Sequence, residues 1–258
     1  MARLLRGALT FLWLPVIVLV AWWFVSAVAP TVYLPSLRTI LETLVRDWAG
    51  PHFARDALPS IGKFLVGFAL AGLFGILIGM LIGMMPRVGA ALDPLIQFYR
   101  AIPPPVLLPA ALLLFGIGAP MNIALIVFGA IWPTLLSTID GVRAVDPLLR
   151  DVAQSYRFSR SKRVFRLLLP AAAPQIFAGL RISLQISIIL IVVAEMFGST
   201  SGIGFYVLNA QQAYEVPETW AGTIVLGILG YLATLGFLAI ENRILSWHHG
   251  LHGSLERV

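Results

Sequence analysis

The sequence predicts an all-α, polytopic membrane protein with six transmembrane helices. Three observations carry that reading. Of 258 residues, 59% are hydrophobic and only 12% charged, against about 25% charged in soluble domains, so too little polar surface exists to coat a water-facing globule. Uncharged runs long enough to cross the hydrocarbon core, about 20 residues each, recur along the chain. Six such runs use about 120 residues and leave enough for connections alone, so residues 1–258 read as one transmembrane domain.

The first run, apolar over residues 8–28, follows Met1, Arg3 and Arg6. Ala27 and Ala29 also fit the cleavage site of a signal peptide, but the length of the run and Pro30 just beyond it favour a span. Residues 31–59 are more polar, with Leu37, Ile40, Leu41 and Leu44 at helical spacing, and predict a short amphipathic helix at the interface. The second span, 60–85, carries Ala71, Gly75, Gly79 and Gly83 four residues apart. Such a stripe lets another helix backbone approach closely; packing within the chain is the simpler reading, contact with a second copy the other. The third span, 90–115, contains Asp93, Arg100, Pro94, Pro103, Pro104, Pro105 and Pro109. Proline removes a backbone donor and clashes with the preceding turn, so this helix is expected to be broken, which membranes tolerate only inside protein or against a wet cavity.

A tight turn over 116–120 leads to the fourth span, 121–139. The polar insertion 140–166 then carries seven Lys and Arg residues. The fifth span, 175–197, holds Arg181, Gln185 and Glu195, with a second small-residue stripe at Gly179, Ser183 and Ser187. A glycine-rich loop, 198–219, precedes the sixth span, 220–244, and a short polar tail, 245–258. Short loops rich in Lys and Arg stay in the cytoplasm. With the N-terminus inside, twelve basic residues fall on inner segments against Arg38, Arg46 and Arg55 outside, so both termini and the central loop are expected to be cytoplasmic. A pI near 10.2 therefore records topology and gives no reason to expect nucleic acid as a partner.

Catalytic constellations are missing. Zero cysteines exclude disulfides, thiolate metal sites and thiol nucleophiles. The histidines, His52, His248, His249 and His252, all lie outside the spans, so a zinc-binding helical pair is absent. Neither G-x-x-x-x-G-K-[ST] nor G-x-S-x-G occurs; Gly62 and Lys63 are followed by Phe64. A non-enzymatic chain without metal or cofactor is expected. Ionisable groups within spans cost about 2.5–3.5 kcal/mol each at a helix centre, so Arg100, Arg181, Gln185 and Glu195 are the candidates for a pathway or gate. Arg181 and Glu195 are fourteen residues apart, about 21 Å along one helix, and cannot pair with each other. Snorkelling to the inner interface is the other reading for Arg181, and for Glu195 a capping or gating hydrogen bond stands beside solute contact.

The central loop is the most informative segment. From Asp151 it reads DVAQSYRFSRSKRVFRLLLPAAAPQIFAGLR, which resembles the EAA signature of importer-type ATP-binding-cassette permeases: Glu-Ala-Ala, three residues, Gly, nine residues, Ile, one residue, Leu-Pro. Asp151 stands for the acid, Val152 and Ala153 for the alanines and Leu167 for the isoleucine, while Leu169 and Pro170 match. Arg157 departs from the pattern, standing where the family has a glycine that joins two short helices; a left-handed backbone there costs a non-glycine residue about 1–2 kcal/mol. The stretches DPLIQFYRAIPPPVLLPAALLLFGIG and VVAEMFGSTSGIGFYV are similar to permeases of the nitrate, sulfonate and taurine group.

The resemblance implies an importer permease fold in a bacterial inner membrane. Two six-helix subunits would form the pathway, here as a homodimer. Separate ATPases would dock on a coupling loop over residues 140–170, and a periplasmic or lipid-anchored binding protein would deliver the solute. A sulfonate or related small organic anion is the solute it favours, a pyrimidine-type vitamin precursor the next. The competing reading is an ATP-independent secondary transporter or channel, against which stand the lack of an inverted repeat and of coupling carboxylates other than Glu195. The residues of the loop agree with docking: short helices over 147–156 and 159–168 are expected along the membrane, apolar faces toward the permease, with Arg150, Arg160 and Lys162 open to a soluble partner. Contact with anionic lipid is the plainer alternative.

Overall fold

The computed structural model describes residues 13–14, 16–26, 31 and 33–247. Its described elements are helical apart from one isolated bridge between Thr31 and Leu34. Helix α1, Val16–Ser26, is followed by the amphipathic α2, Leu37–Trp48, which Ser36 caps by accepting from the Thr39 amide. Next come α3, Leu58–Met84, α4, Pro86–Ala101, and α5, Leu108–Phe115. Helix α6 spans Ala119–Arg143, α7 Pro147–Ser155, α8 Arg160–Arg163, α9 Leu169–Gly198, α10 Ile203–Gln212 and α11 Val216–Ile244.

The core is three helices held at backbone distance by small residues. Helices α3 and α6 run parallel: a side chain added at Gly75, Gly79 or Gly83 would strike Thr134, Thr138 or Val142 in turn. The glycine stripe is therefore consumed by packing within the chain. Helix α9 runs antiparallel on the other side of α6, with Gly179 against Ser137 and the Pro133 carbonyl. Buried hydroxyls join these helices without stranding a polar group. Ser183 Oγ donates to Ala130 O at 2.6 Å, which leaves Thr134 Oγ1 as the donor in its 2.8 Å contact with Ser183 Oγ; Thr138 and Ser187 satisfy themselves on carbonyls one turn back. Phe64, Ala71, Ile126, Leu184, Leu190, Ile191 and Phe237 fill the remaining core.

Proline breaks the third span as expected: α4 and the helical stretch Pro104–Phe115 meet at 83°, where Ile102 and Pro103 are extended. Pro94, Pro133 and Pro174 lie inside α4, α6 and α9, while at two helix starts proline is accommodated by widening. Two π turns, Phe53–Ala57 and Val164–Leu168, each precede a Leu-Pro pair, Leu58-Pro59 and Leu169-Pro170. The i to i−5 bonds, Leu58 to Phe53 O and Leu169 to Val164 O, carry the helix past a ring that would clash with the carbonyl four residues back.

The six expected spans are found in part, and two other sequence-based expectations change. Among the described residues four helices are long and apolar enough to cross a membrane, or five with the bent pair as one span, where six were expected; Val16–Ser26 is shorter than a span, and most of the remainder of the expected first span lies outside the described residues, as do His248, His249, His252 and most of the tail. The second loop helix is not separate, because Arg160–Gly198 is one helical run through the Val164–Leu168 widening. The glycine-rich loop contains α10, launched by Gly202 at φ 125°; its glycines sit at the helix start, and Ile203 to Gln212 hold no proline to stop it.

The glycine contacts make a quantitative expectation. Gly79→Ala places a methyl within 2.7 Å of Thr138 Cβ and 2.8 Å of the Leu135 carbonyl, so thermal unfolding in detergent should show destabilisation of about 1–3 kcal/mol. Gly62→Ala meets nothing within 4 Å and should leave the melting temperature unchanged or slightly raised.

Candidate functional site

A buried polar cluster joins α3, α9 and the start of α10. Glu195, 1% exposed, is held by Lys63 Nζ at 2.5 Å, by Ser60 Oγ at 2.7 and 2.8 Å, and by the Gly204 amide at 3.0 Å. The Ser60 hydroxyl has one proton and also lies 3.0 Å from Asp56 O; the ionised carboxylate is the stronger acceptor, so the proton goes to Glu195. Ser60 Oγ in turn accepts the Ile203 amide at 2.9 Å. Buried Asp56 accepts the Gly202 amide at 2.9 Å and faces His52 Nδ1 at 2.7 Å. Three consecutive amides at the α10 N-terminus are thus satisfied by side chains distant in sequence, and two negative groups sit where the helix dipole favours them. Removing one partner of such a buried pair strands the other charge, at about 3–5 kcal/mol.

Sequence reasoning found Glu195 but missed Lys63, Ser60 and Asp56. The available signal was Lys63 itself, a cation inside an otherwise uncharged span, which demands a partner. Arg181 has one as well: its guanidinium donates to Glu241 on α11 at 2.7 and 2.8 Å, an ion pair between helices. Gln185 lies exposed on α9, one turn from Ile182, and Arg100 is exposed in the last turn of α4. Arg100, Arg181, Gln185 and Glu195 are not brought together into one site.

A second network fastens α2 to α10 and α11. Tyr206 Oη donates to Asp47 Oδ2 at 2.6 Å, while Arg46 donates to Asp47 at 2.8 Å and to Glu218 at 2.7 Å. Burial pushes the Asp47 carboxyl up, but the hydrogen bonds and charge of Arg46 and the Tyr206 hydroxyl outweigh it and hold the group below its ordinary value. Burial and the same carboxylate push the Tyr206 hydroxyl well above its ordinary value. A lowered carboxyl contributes stability above its unfolded pKa and loses it as pH falls through the folded one. Tyr206→Phe should therefore destabilise by about 1.5–3 kcal/mol at neutral pH, and in pH-dependent melting the gap to wild type should close below about pH 4.

The central loop is organised by its caps. Asp146 accepts the Leu148 amide at 2.8 Å and Pro147 opens α7. At the far end the Arg157 amide bonds Gln154 O and the Phe158 amide bonds Ala153 O, both at 2.9 Å, which is a Schellman cap with Arg157 at its left-handed position, φ 50°. Asp151 is exposed, Ala153 is buried, Leu167 and Leu169 are half-buried, and Pro170 is exposed. The orientation of α7 is opposite to expectation. Leu148, Val152 and Tyr156, spaced by one turn, are 67%, 45% and 76% exposed, whereas Arg150 folds back to donate to the Val142 carbonyl. Capping the C-terminal carbonyls of α6 takes the guanidinium inward and turns the apolar stripe out.

Comparison with known proteins places this architecture. The pattern of the binding-protein-dependent transport system inner membrane component matches residues 73–245. The chain is 34% identical to the taurine transport system permease protein TauC of Escherichia coli, over 90% of this chain and 87% of that one. It is 31% identical to the putative aliphatic sulfonates transport permease protein SsuC of Bacillus subtilis, over 96% and 90%, and 37% identical to the nitrate import permease protein NrtB of a Synechocystis species, over 72% and 68%. Its fold is similar to a chain of the MetNI methionine ABC transporter in an inward-facing conformation, with TM-score 0.58, 19% identity, and coverage of 80% of this chain and 97% of that one. Matched over more than half its length, and with relatives above 30% identity along most of both chains, this protein belongs to the binding-protein-dependent transport system inner membrane components, among the permeases of ATP-binding-cassette importers.

Proposed function

We propose that this chain is the permease subunit of an ATP-driven importer, that a separate ATPase docks on α7, and that the solute is a small oxyanion such as a sulfonate. The outward stripe of Leu148, Val152 and Tyr156 carries the docking reading. On a short helix in a basic cytoplasmic loop, these side chains gain nothing from water and are the size and chemistry of interface anchors. An ATP-independent carrier has no use for such a stripe. Asp151, exposed beside Val152, and Arg157 at the left-handed turn flank it. A soluble binding protein meets the Glu195 end, which the basic-residue count puts outside; two copies complete the pathway, and membrane lipid covers the remaining apolar faces. The solute assignment draws on the relatives named for taurine, sulfonates and nitrate, and Arg100 and Gln185 are the exposed polar candidates for contact with it.

Leu148→Asp and Val152→Asp should each lower ATP-coupled uptake in proteoliposomes about tenfold or more, the loss expected for an interface anchor, while the permease still inserts. Undiminished uptake in both would refute docking on this stripe. Arg157→Gly relieves about 1–2 kcal/mol of left-handed strain, so coupling should hold or improve; a clear loss would show that the Arg157 side chain makes its own contact with the ATPase.

For the solute, thermal shift of the cognate binding protein should show stabilisation by sulfonates or nitrate. Stabilisation by pyrimidines alone would overturn the anion assignment and leave the permease assignment standing.

A further inference from the structure

Residues 198–204 are fastened almost residue by residue. The Gly198 carbonyl accepts the Gly118 amide at 3.0 Å, Ser199 Oγ accepts Asn122 Nδ2 at 2.6 Å, and the Ser201 carbonyl accepts Lys63 Nζ at 3.3 Å. The Gly202, Ile203 and Gly204 amides go to Asp56, Ser60 and Glu195. This short segment therefore ties the ends of α3, α6 and α9 to the start of α10.

The bonds differ in what their rupture leaves behind. Glu195 keeps Lys63 and Ser60, both carried by α3, whether or not Gly204 is present. Asp56 likewise keeps His52. Withdrawal of the α10 N-terminus would expose neutral amides and leave each carboxylate with a partner, so the step avoids the large penalty of an uncompensated buried charge. The Ile203 side chain, 0% exposed, sits among Trp48, Ala57 and Tyr206 and must leave that seat when the segment moves. Gly202, at φ 125°, supplies the turn, and any side chain there would run into the Glu195 carboxylate.

We propose that residues 198–204 form a releasable dock, in which Asp56, Ser60 and Glu195 are positioning residues that hold the α10 N-terminus closed and set how often that end of the permease opens during transport. The transport reading supplies the purpose of this motion, not its existence. The dock can therefore fail while the permease assignment stands.

The chain contains no cysteine, so single reporters need no background removal. Ile203→Cys should react slowly with a water-soluble maleimide in proteoliposomes, and adding Asp56→Ala should raise its rate about tenfold, as expected for loss of one hydrogen bond to a charged acceptor. Asp56→Asn, which keeps an oxygen for the Gly202 amide, should restore the slow rate. Ala172→Cys, also 0% exposed and near the opposite end of α9, should be unaffected. In the importer assembled with its ATPase and binding protein, turnover should raise the rate at Ile203→Cys without any dock mutation. Equal acceleration at both reporters would reduce Asp56 to general stability and overturn the proposal, as would a reporter at 203 indifferent to both Asp56→Ala and turnover. If Ile203→Cys fails to insert, Ala210→Cys, 3% exposed on α10, serves the same comparison.

Discussion

A backbone amide that leaves a helix while buried away from water must find another partner. That demand organises the Glu195 end of this protein, where helical pairing stops at Gly198 and resumes after Gly202. The chain answers it with Asp56, Ser60 and Glu195 from two other segments. Acceptors strong enough for the task are charged, which in turn requires Lys63. One irregular turn thus accounts for four of the buried polar side chains in the structure, and fixes how α3, α9 and α10 meet.

The rest of the bundle avoids the same problem by proximity. Glycines at 75, 79 and 83 bring α3 onto α6, while the hydroxyls of Thr134 and Ser183 find partners across the α6–α9 contact and those of Thr138 and Ser187 find acceptors on their own helices. Such packing makes the three-helix core rigid. Movement is then left to the elements around it: the bent α4–α5 pair, the α7 loop and α10.

Hydrophobic runs in the sequence located the apolar middles of the four long helices, though not where Phe53–Met84 and Arg160–Gly198 begin, and the proline cluster located the bend, because both depend only on what water and hydrocarbon reject. Left-handed backbone at Arg157 was legible from spacing against a known pattern. The partner of Glu195 was not, since it depends on which helix lies alongside, and hydropathy is blind to neighbours. Helix α10 hid behind its glycines: composition shows that Gly202 can turn, but not that nine residues after Ile203 then pack as a helix. The phase of α7 failed for a different reason. Of the apolar residues of α7 only Ala153 is buried, Leu148, Leu149 and Val152 being exposed, and Arg150 reaches the Val142 carbonyl, a polar contact that apolar patterning does not register.

The two π turns carry a consequence for how the loop and the bundle are joined. Each residue advances a helix by about 100°, and a π turn holds one residue more than the α-helical path it replaces. The widening at Val164–Leu168 lies between the central loop and the long run of α9. It therefore absorbs one residue of chain without rotating the loop about the α9 axis. Loss of a single codon there would return the turn to the α-helical path and leave the loop facing as before, whereas the same loss in the regular part of α9 would swing the loop by about 100° around the bundle.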